Sequence, residues 1–283
     1  MTERVRDHLG RFGVWRWLGP DLPELAVGLE RAGYGTLWVG GSPDGDLRQV
    51  EQLLDATTTL TLATGIVNIW KDDAHTVAAS FARLEARHPG RFLLGVGAGH
   101  PEATTQYASP YETLVRYVDV LLGDGVPADS LVLAALGPRV LRLAAERTAG
   151  AHPYLVPPEH TRRAREILGE GPLLAPEQKV VLMADPEQAR AMARPRVQPY
   201  LGLVNYTSNL RRLGWSDEDL SGGGSDALID ALVAHGTGDQ VAARLDQHFQ
   251  AGADHVAVQL LTASGADVVD GYRKLAQIGR AHV

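Results

Sequence analysis

Residues 93–102 read LLGVGAGHPE, an apolar run closing on Gly95, Gly97 and Gly99 before a histidine and a proline. A strand that empties into glycines leaves backbone N–H groups unobstructed, which is how many loops hold phosphate. The dinucleotide fingerprint G-x-G-x-x-G requires a glycine at position 100, where His100 stands. The loop therefore does not specify a Rossmann site, and the fold must be read from the rhythm of the chain around it.

That rhythm is a repeated one. Short β-branched, apolar runs occur at 11–15, 35–41, 60–67, 91–98, 130–136, 150–156, 179–184 and 255–261. Helical patterns separate them at 22–32, 47–57, 76–88, 111–122, 139–148, 159–168, 186–194 and 266–278. Apolar residues at Leu25, Leu29 and Ala32, or at Val77, Phe81 and Leu84, recur at helical spacing and face a common core. Eight such units predict an α/β fold, a (β/α)8 TIM barrel, with a doubly wound sheet as the alternative. The segment from about 195 to 252 shows helical patterns at 199–213 and 238–251 and no strand signal. It is expected as a mainly helical insertion before the last strand of one barrel domain spanning 1–283. The run SGGGSD (221–226) within it has neither a preceding strand nor a lysine, and reads as an inter-helix loop.

Composition narrows the function. The chain has 283 residues, 45% of them hydrophobic and 22% charged, as expected of a folded domain with a large core. Zero cysteines exclude disulfides, thiolate nucleophiles and zinc–thiolate sites. A net charge of −7 argues against non-specific nucleic-acid binding. The N-terminus lacks a signal-peptide pattern and no run approaches the ~20 apolar residues of a membrane span, so a cytoplasmic protein without membrane contact is expected. No His or carboxylate cluster has metal-ligand spacing, and G-x-S-x-G is absent, so neither a metal nor a serine nucleophile is expected.

In a barrel the chemistry sits at the loops that follow the strands. Those loops offer Trp15 and Trp17, then Gly40, Gly41, Ser42 and Asp44, then Asn68, Trp70 and Lys71. After them come Gly97, Gly99, His100 and Tyr107, then Leu136, Gly137 and Arg139, then His152 and Tyr154. The set is aromatic, glycine-rich and short of carboxylates, which suits a flat ring with a phosphate tail better than a hydrolytic centre. Trp38 reads as core because it lies in mid-strand, and His152 and His255 read as hydrogen-bonded structural histidines. Trp15, Trp17, Asn68, Trp70 and Tyr107 are the candidate substrate contacts. His100, at the glycine-loop junction, is the candidate catalytic residue, since an imidazole titrates near neutrality. ALGPR (135–139) offers a second anion loop, with Gly137 permitting close approach and Pro138 suited to a first helical position. TASG (262–265) is a competing phosphate loop, at the place barrels commonly use.

The stretches GYGTLWVGGSPDGDL (33–47), LATGIVNIWKDDAHTVAASFARLEARHPGRFLLGVGAGH (62–100), LAALGPRVLRLAAERTAGAHPYLV (133–156) and GTGDQVAARLDQHFQAGADHVAV (236–258) together resemble the luciferase-like monooxygenase superfamily. They are most similar to its actinobacterial branch thought to use the deazaflavin coenzyme F420. The resemblance implies a ring cofactor at the strand C-termini and a cis peptide at Gly65-Ile66 supporting the ring's back face. It also implies phosphate contacts from Ala98, Gly99 and His100 and from Leu136 and Gly137, with Arg139 beside them for the anionic tail. The implied function is an F420-dependent oxidoreductase acting on a small-molecule substrate. An FMN-dependent monooxygenase and a non-catalytic flavin or deazaflavin binder are the alternatives. A homodimer through 47–57 and 76–88 is likewise implied. The chain departs from F420-dependent dehydrogenases in one respect: Gly40-Gly41 stands where they carry an Asp-His pair.

Overall fold

The computed structural model describes residues 8–99, 109–263 and 265–281. Strand and helix alternate from the start: β1 (Phe12–Trp17), α1 (Leu22–Ala32), β2 (Thr36–Gly40), α2 (Arg48–Ala56), β3 (Thr61–Thr64) and its short continuation β4 (Val67–Asn68). Next come α3 (Ala74–Arg87), β5 (Phe92–Gly97), α4 (Pro110–Gly123), β6 (Leu131–Leu133), α5 (Pro138–Arg147), β7 (Gly150–Ala151) and α6 (Pro158–Leu168). The second half holds β8 (Leu173–Leu174), β9 (Glu177–Val181), α7 (Pro186–Val197), α8 (Val204–Arg212), α9 (Asp217–Leu220) and α10 (Asp226–Leu232). It ends with β10 (Val233–His235), α11 (Gly238–Gln250), β11 (Val256–Leu260) and α12 (Val268–Ala281). Sequence signals set the helix ends: Pro23 opens α1 and Gly33, at φ 88°, closes it, while the Asp73 side chain caps α3 by accepting from Thr76 N–H.

All strand pairs are parallel, in the order β10-β9-β11-β1-β2-β3-β5-β6-β7-β8. The segment 173–181 closes the sheet: on one side its N–H groups bond to Ala149, Ala151 and Pro153, and on the other its carbonyls accept from residues of 254–261. The structure is thus the α/β barrel expected, with helices outside. Two residue sets alternate along each strand. Val14, Leu37, Val39, Leu62, Phe92 and Leu94 pack outward under the helices. Trp15, Trp38, Ala63, Leu93, Val132, Ala149, Ala175 and Ala257 fill the interior, two indoles set among alanines. Large against small is how a barrel interior reaches close packing.

Three boundaries differ from the sequence expectation. A strand, β10, lies inside the segment expected to lack one; its three residues pair with Lys179, Val180 and Val181 at the edge of β9. The seventh strand begins at Leu173 rather than 179, broken at Pro176, which has no N–H to give to a ladder. Strand β7 is only two residues long, because Pro153 follows and Leu155 turns the chain at φ 56°. The packing also exchanges two helices: α11 lies against α6 and α12 in the outer ring, whereas α7 packs with α10 and β10. The excursion from the barrel is therefore built on α7 to α10 with its own apolar cluster, including Ala189, Val197, Leu210, Leu228 and Ile229. SGGGSD is the loop between α9 and α10. No helix among the described residues is long and apolar enough to cross a membrane.

Candidate functional site

A cavity of about 290 Å³ opens at the C-terminal ends of the strands, between the barrel and the excursion. Of the residues singled out in the sequence, Trp15, Trp17, Gly65, Ile66, Asn68, Ala98, Gly99, Leu136 and Gly137 line it, as do Gly41, Ser42, His152 and Tyr154. Trp70 does not; it packs against the helix-covered core. Arg139 is outside the lining too, stacked 4.0 Å from the ring centre of Tyr111, which does line it. His100 and Tyr107 lie outside the described residues, as does Ser264 of the competing TASG loop.

The Gly65-Ile66 peptide is cis, at the junction of β3 and β4. The glycines that follow serve this bulge. A Cβ on Gly95 would stand 2.0 Å from the Thr64 carbonyl oxygen, and one on Gly97 would stand 3.3 Å from Ile66. Gly95 N–H is taken by Thr64 Oγ1 at 2.8 Å. Gly95 and Gly97 therefore allow close strand contact, and the Gly95 amide is already taken. Gly99, at φ 57°, makes the turn beside Asn68.

The floor is aromatic. Trp15, 2% exposed, meets Trp17 edge-on at 5.4 Å and Tyr154 at 5.0 Å. A Cβ on Gly40 would lie 2.1 Å from the Trp15 ring, and one on Gly41 would lie 2.9 Å from Trp17. The two indoles thus occupy the space in which side chains at 40 and 41 would stand, and this is the physical counterpart of the missing Asp-His pair. His152 sits beside Trp15, stacked on Trp38 at 4.0 Å, with Nδ1–H donating to the Ala175 carbonyl at 2.7 Å. Burial pushes its pKa down to about 3, so the ring is neutral.

Sequence reasoning did not single out the opposite wall. Tyr200, Asn205 and Tyr206 come from the excursion and line the cavity with Tyr154. The Tyr154 hydroxyl donates to Gln259 Oε1 at 3.1 Å and meets Tyr200 Oη at 3.1 Å. Burial holds Tyr154 and Tyr206 protonated, well above the ordinary phenol range. Beneath them Lys179 Nζ lies 3.9 Å from the Tyr154 ring centre and donates to Glu177 Oε1 at 3.1 Å. Glu177 Oε2 accepts Leu155 N–H at 3.0 Å, fixing the turn after Tyr154. Desolvation raises the Glu177 pKa and lowers that of Lys179, against their mutual attraction. In the sequence this pair hid inside PEQKVV, where alternation reads as a solvent face.

At the mouth, Gly137 caps α5 in extended conformation, and the first-turn N–H groups that follow Pro138 have, as at any helix start, no partner further up the helix. Arg212, exposed, has Nη2 3.9 Å from where a Gly137 Cβ would stand, and no carboxylate pairs with it among the described residues. Arg163 donates to the Arg212 carbonyl, and His160 Nε2–H holds the Leu136 carbonyl at 3.0 Å. An amide-bearing helix start facing an unpaired guanidinium has the chemistry to bind an anion. The arrangement as a whole can hold a flat ring over the cis bulge with its phosphate between Gly137 and Arg212. Its signal in the sequence was the loop for Gly137; Arg212, one of 27 basic residues, carried none.

No curated protein matches the chain. Solved structures do, at low identity. An F420-dependent secondary alcohol dehydrogenase in complex with an F420–acetone adduct is 17% identical, with TM-score 0.74, covering 95% of this chain and 99% of its own. The coenzyme F420-dependent tetrahydromethanopterin reductase from Methanopyrus kandleri is 16% identical, with TM-score 0.71, covering 96% and 99%. The oxygenating constituent of 3,6-diketocamphane monooxygenase from Pseudomonas putida, in complex with FMN, is 15% identical, with TM-score 0.64, covering 94% and 95%. These likenesses show the fold. The sequence profile of the luciferase-like monooxygenases matches residues 19–123 and 124–255, which span both the cis bulge and the Gly137 loop. The chain belongs to the luciferase-like monooxygenase family.

Proposed function

We propose that this chain is an F420-dependent oxidoreductase that moves a hydride between the deazaflavin and a small organic substrate. The observation that carries the reading is the basic mouth: Arg212 faces Gly137 without a carboxylate partner, and Arg163 and Arg139 stand nearby on a protein of net charge −7. FMN ends at its phosphate, whereas F420 continues into an anionic oligoglutamate tail that such a mouth would attract. When bound, the deazaflavin supplies or takes up a hydride at C5.

The chain's own residues do the rest. The bulge at Gly65-Ile66 would support one face of the ring, and Trp17, Tyr154, Tyr200 and Tyr206 also line the same cavity. Trp17, half-exposed, together with Tyr200 and Tyr206 would shape the substrate space and exclude water. The F420-dependent neighbours support this reading, and so does the family, whose members are oxidoreductases and monooxygenases.

Titration of the purified protein with F420 and with FMN, at low and high salt, tests it. Tighter F420 binding that weakens as salt screens the arginines is expected. Preference for FMN, unaffected by salt, would move the chain to the monooxygenases; binding of neither would remove the function.

A further inference from the structure

Three buried polar atoms of residues that line this cavity have no hydrogen-bond partner among the described residues: Trp15 Nε1, His152 Nε2 and, on the excursion side, Asn205 Oδ1. The first two flank one point. A Cβ built on Gly65 would lie 2.7 Å from the Trp15 nitrogen and 3.1 Å from the His152 nitrogen. Their polarities are opposite and fixed. An indole N–H can only donate. The Ala175 carbonyl can only accept, so His152 carries its proton on Nδ1 and leaves Nε2 as a bare acceptor.

The barrel contains its own control for this arrangement. Trp38 and His255 are the same residue types, also buried, and they satisfy each other: Trp38 Nε1–H donates to His255 Nε2 at 3.0 Å, and His255 Nδ1–H donates to the Gly10 carbonyl at 2.7 Å. Trp38 and His255 close their circuit, whereas Trp15 Nε1 and His152 Nε2, on residues that line the cavity, are left unpartnered. Leaving a buried donor and a buried acceptor unmade is costly, and native structures rarely do so without a ligand or water to complete them.

We infer that Trp15 and His152 form a reading head for the pyrimidinedione edge of the cofactor ring, Trp15 Nε1–H donating to a ring carbonyl and His152 Nε2 accepting the ring N3–H. This rests on the reading of the cavity as a flavin or deazaflavin site, and it assigns which end of the ring lies deepest. An anion is excluded at this point because the imidazole lone pair would repel it. A simple ketone would occupy the donor alone. A planar imide presents an acceptor and a donor side by side. The edge is common to F420 and FMN, so the assignment holds for either cofactor.

Methylation at N3 removes the donor and leaves the rest of the ring intact. The test measures dissociation constants of FMN and N3-methyl-FMN, and of the 5-deaza analogue of each, by fluorescence titration of wild type, Trp15→Phe and His152→Ala. Wild type should bind each methylated ligand about tenfold or more weakly than its parent. His152→Ala should weaken the parents and bring the two forms within about twofold of each other, since nothing remains to discriminate. Trp15→Phe, which keeps the ring but not the N–H, should weaken parents and methylated forms alike by about fivefold. Should His152→Ala fold poorly, the wild-type ratio decides alone. Equal binding of parent and methylated ligand by wild type, or a ratio that survives in His152→Ala, overturns the inference and leaves the cofactor site standing. Failure of wild type to bind any of the four overturns the inference, and failure to bind F420 as well overturns the reading it rests on.

Discussion

The two walls of the cavity are made differently. The barrel wall is strand: Trp15, Gly65, Ile66 and His152 are set by ladders and by contacts too close for an added methyl group. The excursion wall is helix: Tyr200, Asn205 and Tyr206 stand on elements with a separate apolar cluster, and Arg212 is exposed at the mouth. The barrel wall can hold a ring to within fractions of an ångström, while the excursion wall can vary without disturbing the closed sheet. Changes to the first should cost folding, and changes to the second should cost binding.

Acid should expose the difference most strongly. His152, His160, His248 and His255 are buried and neutral, with pKa values pushed down to about 3, 4, 3 and 4 by desolvation. Unfolded, each returns to an ordinary value near 6.5. Between roughly pH 4 and pH 6.5 the unfolded chain therefore binds more protons, and stability falls as the pH falls, by ~1.4 kcal/mol per pH unit for each such proton. Above about pH 7.5 these groups contribute no slope. Calorimetry at pH 5.5 in buffers of different ionisation enthalpy should find uptake approaching four protons on unfolding; uptake near zero would show these histidines are not held neutral. All four belong to the barrel or its outer helices, so the barrel should be the acid-sensitive part.

A smaller effect is expected from Gly40→Ala, whose added carbon would stand 2.1 Å from the Trp15 ring. Overpacking of this kind costs ~1–3 kcal/mol, read as a lower urea midpoint. The displaced indole should also weaken cofactor binding. A stable variant with normal binding would mean that the floor is softer than its contacts imply.

The smallest effect on stability should come from Arg212→Ala, within about 0.5 kcal/mol, as for an exposed residue without an ion pair. Its effect should appear in binding, as a dissociation constant for F420 raised about fivefold to tenfold at low salt and converging on wild type as salt increases. Loss of stability with unchanged binding would reverse the division between the walls.

The sequence carried the barrel wall because local pattern and tertiary role coincide there. The continuous apolar runs TLWVG and FLLGVG, proline and glycine at helix ends, and glycines where chains approach closely are all written in neighbouring residues. The cis bond at Gly65-Ile66 was legible through resemblance, and the Gly137 loop through its Pro-led helix. The excursion wall was not legible. Tyr200, Tyr206 and Arg212 lie on helices whose spacing is that of any surface helix, and they reach the site only because α7 to α10 fold back over the strand ends. β10 escaped notice because three residues acquire strand conformation only from the edge of β9.

The sequence by itself thus determined the repeating α/β architecture and the loops that could carry a ring and a phosphate, since periodicity and backbone freedom are local properties. Tertiary structure alone decided that Gly95 and Gly97 serve packing and that Glu177 and Lys179 pair inside the barrel. It also decided that of two chemically equal Trp and His pairs one is closed and the other is left unpartnered beside the cavity. Hydrogen-bond satisfaction is a property of what surrounds an atom, and residues more than a hundred positions apart in the chain supply those surroundings only after folding.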